Sequence, residues 1–180
     1  MEYEIKGTLL SEEVIQKRVK ELALEIEETF TGESITLVAV LKGSFMFAAD
    51  LMRHISGSVE IDFISVSSYG NQTESSGKVR LLKDLDSNIT DQNVVVVEDI
   101  VDSGLTLHFL MDHFKMHRPK ALKICTLLDK PERREVDDLV LNFVGFQIPD
   151  EFIVGYGIDY AQQYRNLPYI ASVAPASVKH

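Results

Sequence analysis

The amino-acid sequence predicts an α/β domain with a mainly parallel twisted sheet flanked by helices. Three observations support this. Ile35 to Leu41 (ITLVAVL) is short, rich in β-branched residues and almost continuously apolar, as in a strand buried on both faces. Asn93 to Glu98 repeats the pattern with four consecutive valines, Val94 to Val97. Both runs are followed by segments of helical character, and strands that alternate with helices pair in parallel.

The elements follow in chain order. Met1-Glu2-Tyr3-Glu4 is acidic, has no apolar run behind it and carries no predicted element. From Ser11 to Phe30 the residues Val14, Val19, Leu22, Ile26 and Phe30 recur at helical spacing. Ser11 is placed as N-cap, and Glu12 and Glu13 lie in the first turn, where the helix dipole favours acids. Strand Ile35–Leu41 leads into a helix over Phe45–His54. Val59 to Ser67 reads as a strand, Asn93 to Glu98 as another, Thr106 to Met116 as a helix and Ala121 to Leu128 as a further strand. Between them, Ser67 to Lys78 (SSYGNQTESSGK) has almost no apolar anchor and reads as a mobile loop.

With 180 residues, 45% of them hydrophobic, the chain suits one domain with one sizeable core. Lys and Arg number 18 against 28 Asp and Glu, so a net charge of -10 disfavours nucleic acid and anionic membranes as partners; a polyphosphorylated ligand would need local cations or a metal. The single cysteine, Cys125, lies in an apolar run and reads as a small buried hydrophobe; with no internal disulfide possible, a reducing, cytoplasmic setting is expected. No run approaches the ~20 apolar residues that span a bilayer.

Chemistry concentrates in Val94 to Leu107 (VVVVEDIVDSGLTL). In parallel sheets ligands collect beyond the carboxyl ends of the strands, where Glu98 and Asp99 are expected and where carboxylates accept hydrogen bonds from hydroxyls. Asp102-Ser103-Gly104-Leu105-Thr106 follows at a helix N-terminus, offering backbone N–H groups, two hydroxyls and a glycine, an anion cradle suited to a phosphate monoester. Taken singly, Asp102 or Ser103 reads as a helix cap and Glu98-Asp99 as a strand end. Taken together they fit a ligand carrying both a vicinal diol and a phosphate, such as ribose 5-phosphate. The P-loop and Rossmann glycine patterns are both missing.

This segment resembles the phosphoribosyl diphosphate signature of type I phosphoribosyltransferases, and in particular their bacterial hypoxanthine-guanine branch. The resemblance covers the chain from about Leu37 to Ile170. It implies a core over about residues 35–130 and a small hood formed by the N-terminal segment and about residues 140–180. It implies a purine salvage enzyme that moves the 5-phosphoribosyl group from 5-phosphoribosyl 1-diphosphate to N9 of hypoxanthine, or of guanine, with Mg²⁺ as cofactor and a homodimer or homotetramer as the assembly.

Residue roles follow from the same resemblance. Leu41-Lys42-Gly43-Ser44 matches the diphosphate loop, with Lys42 and Gly43 on the leaving group and a non-proline cis peptide before Lys42. Ser68 and Tyr69 match a pair that closes over the ribose; alone, they read as part of a hairpin tip. Lys130, in Asp129-Lys130-Pro131-Glu132-Arg133-Arg134, matches the ammonium that recognises the purine 6-oxo group; alone, it reads as solvated. Asn142 to Tyr169 places Phe152 against the purine face with Ile153 beside it, Asp159 near metal and base, and Arg165 at the diphosphate; Phe152 alone reads as strand core. Glu98 and Asp99 would hold the ribose hydroxyls and, with Asp159, the metal, either directly or through water. Ser103, Gly104, Leu105 and Thr106 would take the phosphate. Asp102 would act as general base at N7 while N9 attacks C1. Ser44 stands where many members have glycine, and Gln147 where an acid is common. An RNA-binding regulator of the same fold is the competing class; the acidic balance and the lack of a Lys/Arg cluster disfavour it. Among enzymes, xanthine, adenine and pyrimidines are the other acceptors, and an ammonium at Lys130 opposes adenine's amino donor.

Overall fold

A computed structural model describes residues 3–69 and 78–175. Among these, a sheet of order β4-β3-β2-β5-β6-β7 forms the body: β2 (Ile35–Leu41), β3 (Val59–Tyr69), β5 (Asn93–Val101), β6 (Ala121–Asp129) and β7 (Phe143–Gln147) run parallel, and β4 (Lys78–Lys83) pairs antiparallel with β3. β1 (Tyr3–Leu10), β9 (Ile170–Pro175) and β8 (Ile153–Val154) form a separate antiparallel sheet in that order.

Alternate residues of β5 explain the two-sided core. Val95 and Val97 join Phe47, Ala48 and Leu51 of α2 (Phe45–His54) and the inner face of α1 (Glu12–Thr29), while Val94 and Val96 join Leu107, Leu110 and Phe114 of α3 (Leu105–Met116). Each of these valine, leucine and phenylalanine side chains, once enclosed, contributes roughly 1.5–3 kcal/mol of transfer free energy. β2, covered on both faces, is buried from Ile35 to Val40, as its apolar run predicts.

In α1, Ser11 caps the helix by accepting from the Val14 amide at 3.4 Å, as expected. Its inner face, however, is Ile15, Val19, Leu22, Ala23 and Ile26, and Val14 points outward at 46% exposure. Ile15 precedes Val19 by one turn and shares its side of the helix, whereas Val14 does not. β5 and β6 also run past their predicted ends at Glu98 and Leu128, because Ile100 and Val101 continue to pair with Leu128 and Asp129. Glu98 and Asp99 therefore lie on a paired strand, where their orientation is fixed. β7 pairs with β6 in the large sheet, although it falls within the stretch that the resemblance gives to the hood.

β2 is flanked by β3 on one side and β5 on the other, so chain order reverses between β2 and β5. A crevice opens outside the carboxyl ends of strands at such a point. There the loop after β2 lies against Asp99 of β5.

Candidate active site

The loop after β2 begins at a cis Leu41–Lys42 peptide. Lys42 is exposed and Ser44 buried, its hydroxyl donating to the Val40 carbonyl at 2.7 Å. Gly43 is sterically required: a Cβ there would overlap the Asp99 carboxylate, and one on Gly157 would overlap the Gly43 carbonyl. The strand acids and the 155–165 segment thus close on this loop from two sides.

Glu98 and Asp99 share a hydrogen bond, and both titrate above the ordinary carboxylate range. For Glu98 burial is the main cause, with the neighbouring Asp99 charge adding to it. For Asp99 burial also dominates, opposed by the bond to Glu98, by backbone amides and by the Arg165 charge. Glu98 Oε2 is enclosed without a hydrogen-bond partner among the described residues. A buried oxygen left so is costly unless a ligand supplies a donor or cation.

From Asp102 the chain turns through Ser103 and Gly104 into α3. Gly104 occupies the N-cap at φ 86°, a left-handed conformation that suits glycine. No side chain caps this helix in the usual way; Ser103 Oγ reaches only the Leu105 amide, at 3.4 Å. A cavity of about 120 Å³ opens here and is lined by Glu98, Asp102, Ser103, Gly104 and Thr106 among others. One cavity therefore brings together the acid suited to hydroxyls and the helix N-terminus suited to phosphate.

Lys130, in the turn after β6, meets Asp150 and Glu151. Contrary to the solvated reading of an isolated lysine, Lys130 is buried, at 7% exposure; its ammonium donates to the Glu151 carbonyl at 2.7 Å and lies 3.4 Å from Asp150 Oδ1. Phe152 is not strand core either. It precedes β8, is 48% exposed and meets Tyr160 edge-on at a centroid distance of 5.6 Å, while Ile153 is buried beside it. Asp159 Oδ1 accepts from Arg165 at 2.7 Å and Oδ2 from the Gln162 amide at 2.7 Å, while Arg165 also donates to the Gly157 carbonyl at 2.7 Å. Ser68 and Tyr69 end β3 by pairing with Val79 and Lys78; their side chains, and residues 70–77 of the expected lid, lie outside the described residues.

Two participants have no counterpart in the sequence reading. Arg133 Nε donates to Asp102 Oδ1 at 2.8 Å and its Nη1 to Asp150 Oδ2 at 3.3 Å. Arg134 forms a largely buried ion pair with Asp129 and packs its stem beneath Gly104. Both lie in a charged turn, and nothing in the residue pattern distinguishes them from solvated side chains.

Fold and site define a class. The phosphoribosyl transferase domain model matches residues 7–161, and the chain belongs to that family. Its relatives narrow the comparison. It is 49% identical over 176 residues to the hypoxanthine-guanine phosphoribosyltransferase of Bacillus subtilis, covering 98% of this chain and 97% of the relative. It is 50% identical over 167 residues to the hypoxanthine phosphoribosyltransferase of Escherichia coli K12, covering 92% and 93%. The crystal structure of a hypoxanthine-guanine phosphoribosyltransferase from Bacillus anthracis superposes with a TM-score of 0.91 at 70% identity, over 97% of this chain and all of that one.

Proposed function

We propose that this enzyme transfers the 5-phosphoribosyl group from 5-phosphoribosyl 1-diphosphate to N9 of hypoxanthine, and of guanine, releasing diphosphate. The observation that carries the reading is the cavity shared by Glu98 and the Asp102–Thr106 turn. Glu98 and Asp99 accept hydrogen bonds from the ribose hydroxyls, and the Ser103, Gly104, Leu105 and Thr106 segment takes the 5-phosphate. Lys42, Gly43 and Arg165 hold the departing diphosphate. On the acceptor side Lys130 donates to the 6-oxo group, Phe152 covers one face of the purine with Ile153 beside it, and Asp102 takes the N7 proton as N9 bonds to C1, a contribution of roughly 10²–10⁴ in rate. Positive charge that develops at C1 is met by the negative potential of the two strand acids. Ser68 and Tyr69 shield the ribose from water.

The donor set fits Mg²⁺ brought in on the diphosphate. Among the described residues no three His, Cys, Asp or Glu side chains form a metal cage, yet Glu98 Oε2 is enclosed and unpartnered beside a second acid. Glu98, Asp99 and Asp159 are the residues that would hold the ion, directly or through water. When bound, it neutralises charge on the leaving diphosphate.

A core over about residues 35–130 with a terminal hood, a homodimer or homotetramer, and a cytoplasmic location complete the proposal. They rest on the family resemblance and, for location, on the buried free thiol of Cys125. The test is diphosphate release from 5-phosphoribosyl 1-diphosphate with Mg²⁺ and, in turn, hypoxanthine, guanine, xanthine, adenine and uracil. Turnover confined to 6-oxopurines is expected; equal turnover with adenine or uracil would reject the acceptor assignment.

A further inference from the structure

Two separate segments read the same purine edge in this enzyme. Asp102 belongs to the loop between β5 and α3, and Lys130 to the turn after β6. O6 and N7 lie side by side on a 6-oxopurine and can be read together only if their partners keep a fixed spacing. The backbone sets that spacing coarsely: the Lys130 amide donates to the Val101 carbonyl at 2.9 Å and the Glu135 amide to the Ser103 carbonyl at 2.9 Å. Side chains finish the link. Lys130 Nζ lies 3.4 Å from Asp150 Oδ1, Asp150 Oδ2 accepts from Arg133 Nη1 at 3.3 Å, and Arg133 Nε donates to Asp102 Oδ1 at 2.8 Å.

From this chain of four charges, and resting on the function proposed above, we infer that Arg133 is a positioning residue for the purine acceptor, holding the Asp102 carboxylate and, through Asp150, the Lys130 ammonium at the separation a 6-oxopurine requires. The guanidinium suits the task because its donors diverge in a rigid plane, so one side chain spans two carboxylates. Its bond occupies Oδ1 of Asp102 and leaves Oδ2 for the N7 proton. Lys130 has three N–H donors; the Glu151 carbonyl and Asp150 direct two, and the third is available to O6. The Arg133 guanidinium is held above its ordinary titration range, first by the Asp102 charge and then by Asp150, which agrees with engagement to both. Arg133, Asp102 and Asp150 are roughly half-exposed, so the link is adjustable and modest in strength.

The experiment compares wild type, Arg133→Gln, Asp150→Asn and the double variant, with separate KM and kcat for hypoxanthine and for 5-phosphoribosyl 1-diphosphate. Exposed ion pairs of this kind correspond to about a 1.5- to fivefold fall in purine kcat/KM. The expected result is a fall of that size in Arg133→Gln, with the KM for 5-phosphoribosyl 1-diphosphate unmoved, the same for the near-isosteric Asp150→Asn, and a double variant no worse than the weaker single. Arg133→Lys keeps the charge but not the fork and should recover less than half of the loss. Purine kinetics unchanged in Arg133→Gln, additive losses in the double variant, or equal losses for both substrates would each overturn the inference. A wild type inert toward every purine would instead remove the functional reading on which it stands.

Discussion

Gly43 offers a direct test of how the site is assembled. A Cβ on this residue would collide with the Asp99 carboxylate, so Gly43→Ala forces either the diphosphate loop or the acid to move. The displacement needed to restore an ordinary contact is roughly 1 Å or more, and a 1 Å misplacement of a positioned group costs about 10²-fold in rate. Steady-state diphosphate release should thus show kcat/KM for 5-phosphoribosyl 1-diphosphate lowered about 10²-fold, close to 2.7 kcal/mol of transition-state stabilisation. The purine KM should change much less, since the proposed purine contacts Lys130 and Phe152 lie on other segments, after β6 and before β8. Gly7→Ala is the matched control: the same substitution on β1, where a Cβ meets nothing within 4 Å, should leave kinetics unaltered. Activity of Gly43→Ala within threefold of wild type, with a crystal structure showing Asp99 unmoved, would refute the packing argument.

Three further outcomes can be checked. Asp102→Asn should lower kcat by about 10²-fold or more with only a modest change in substrate KM; unchanged turnover would remove Asp102 from the role of base. Glu98→Gln should raise the melting temperature of the ligand-free protein, because it removes a buried acid that crowds Asp99, while lowering kcat/KM at least tenfold; loss of both together would mean that Glu98 is structural. Asp62 is 4% exposed, and burial alone would raise its pKa, but amides of Ser87, Phe63 and Asp86 hold the carboxyl below its ordinary range. The stabilisation it provides is therefore present above about pH 3.9, the unfolded value, and lost as pH falls through the lower folded one. Asp62→Ala should cost about 1–3 kcal/mol at neutral pH, read by urea denaturation, and should shrink the acid-induced loss of stability; a variant with wild-type pH dependence would discount those bonds.

β2, β3, β5, β6 and all three helices were legible, because buried strands leave apolar runs and amphipathic helices leave a period; β7, the remaining parallel strand, was not among those predicted. α2 occupies the predicted Phe45–His54 span. β1 left no such trace. Its residues from Glu4 to Thr8 are exposed, and what holds it is pairing with β9, more than 150 residues further on. Contacts of that range write nothing into local sequence. The same reasoning covers the site. Glu98 through Thr106 is contiguous and declares its chemistry as a string, whereas Arg133, Asp150 and the Gly157 contact with Gly43 become meaningful only when three distant segments meet. Lys130 and Phe152 were found through family likeness, since composition alone assigned them the opposite environments to those they have.

The charge pattern reconciles an acidic protein with an anionic substrate. At a net charge of -10, long-range attraction of a diphosphate is not available, so in the proposed function binding would come from short-range elements: the N-terminus of α3, the Lys42–Gly43 loop and Arg165. The acids at the centre run against that need unless the ligand carries cation and hydroxyls with it. Glu98 and Asp99 are unfavourable neighbours in the empty site, each raised in pKa by burial, and Glu98 retains an oxygen with no donor. Under the proposed function, a free phosphate or diphosphate would satisfy neither of them, whereas a magnesium-bound phosphoribosyl diphosphate would satisfy both. On the function proposed above, the acid pair would select for the activated sugar over simpler anions, because the buried acids would stay uncompensated wherever the sugar and its cation are missing.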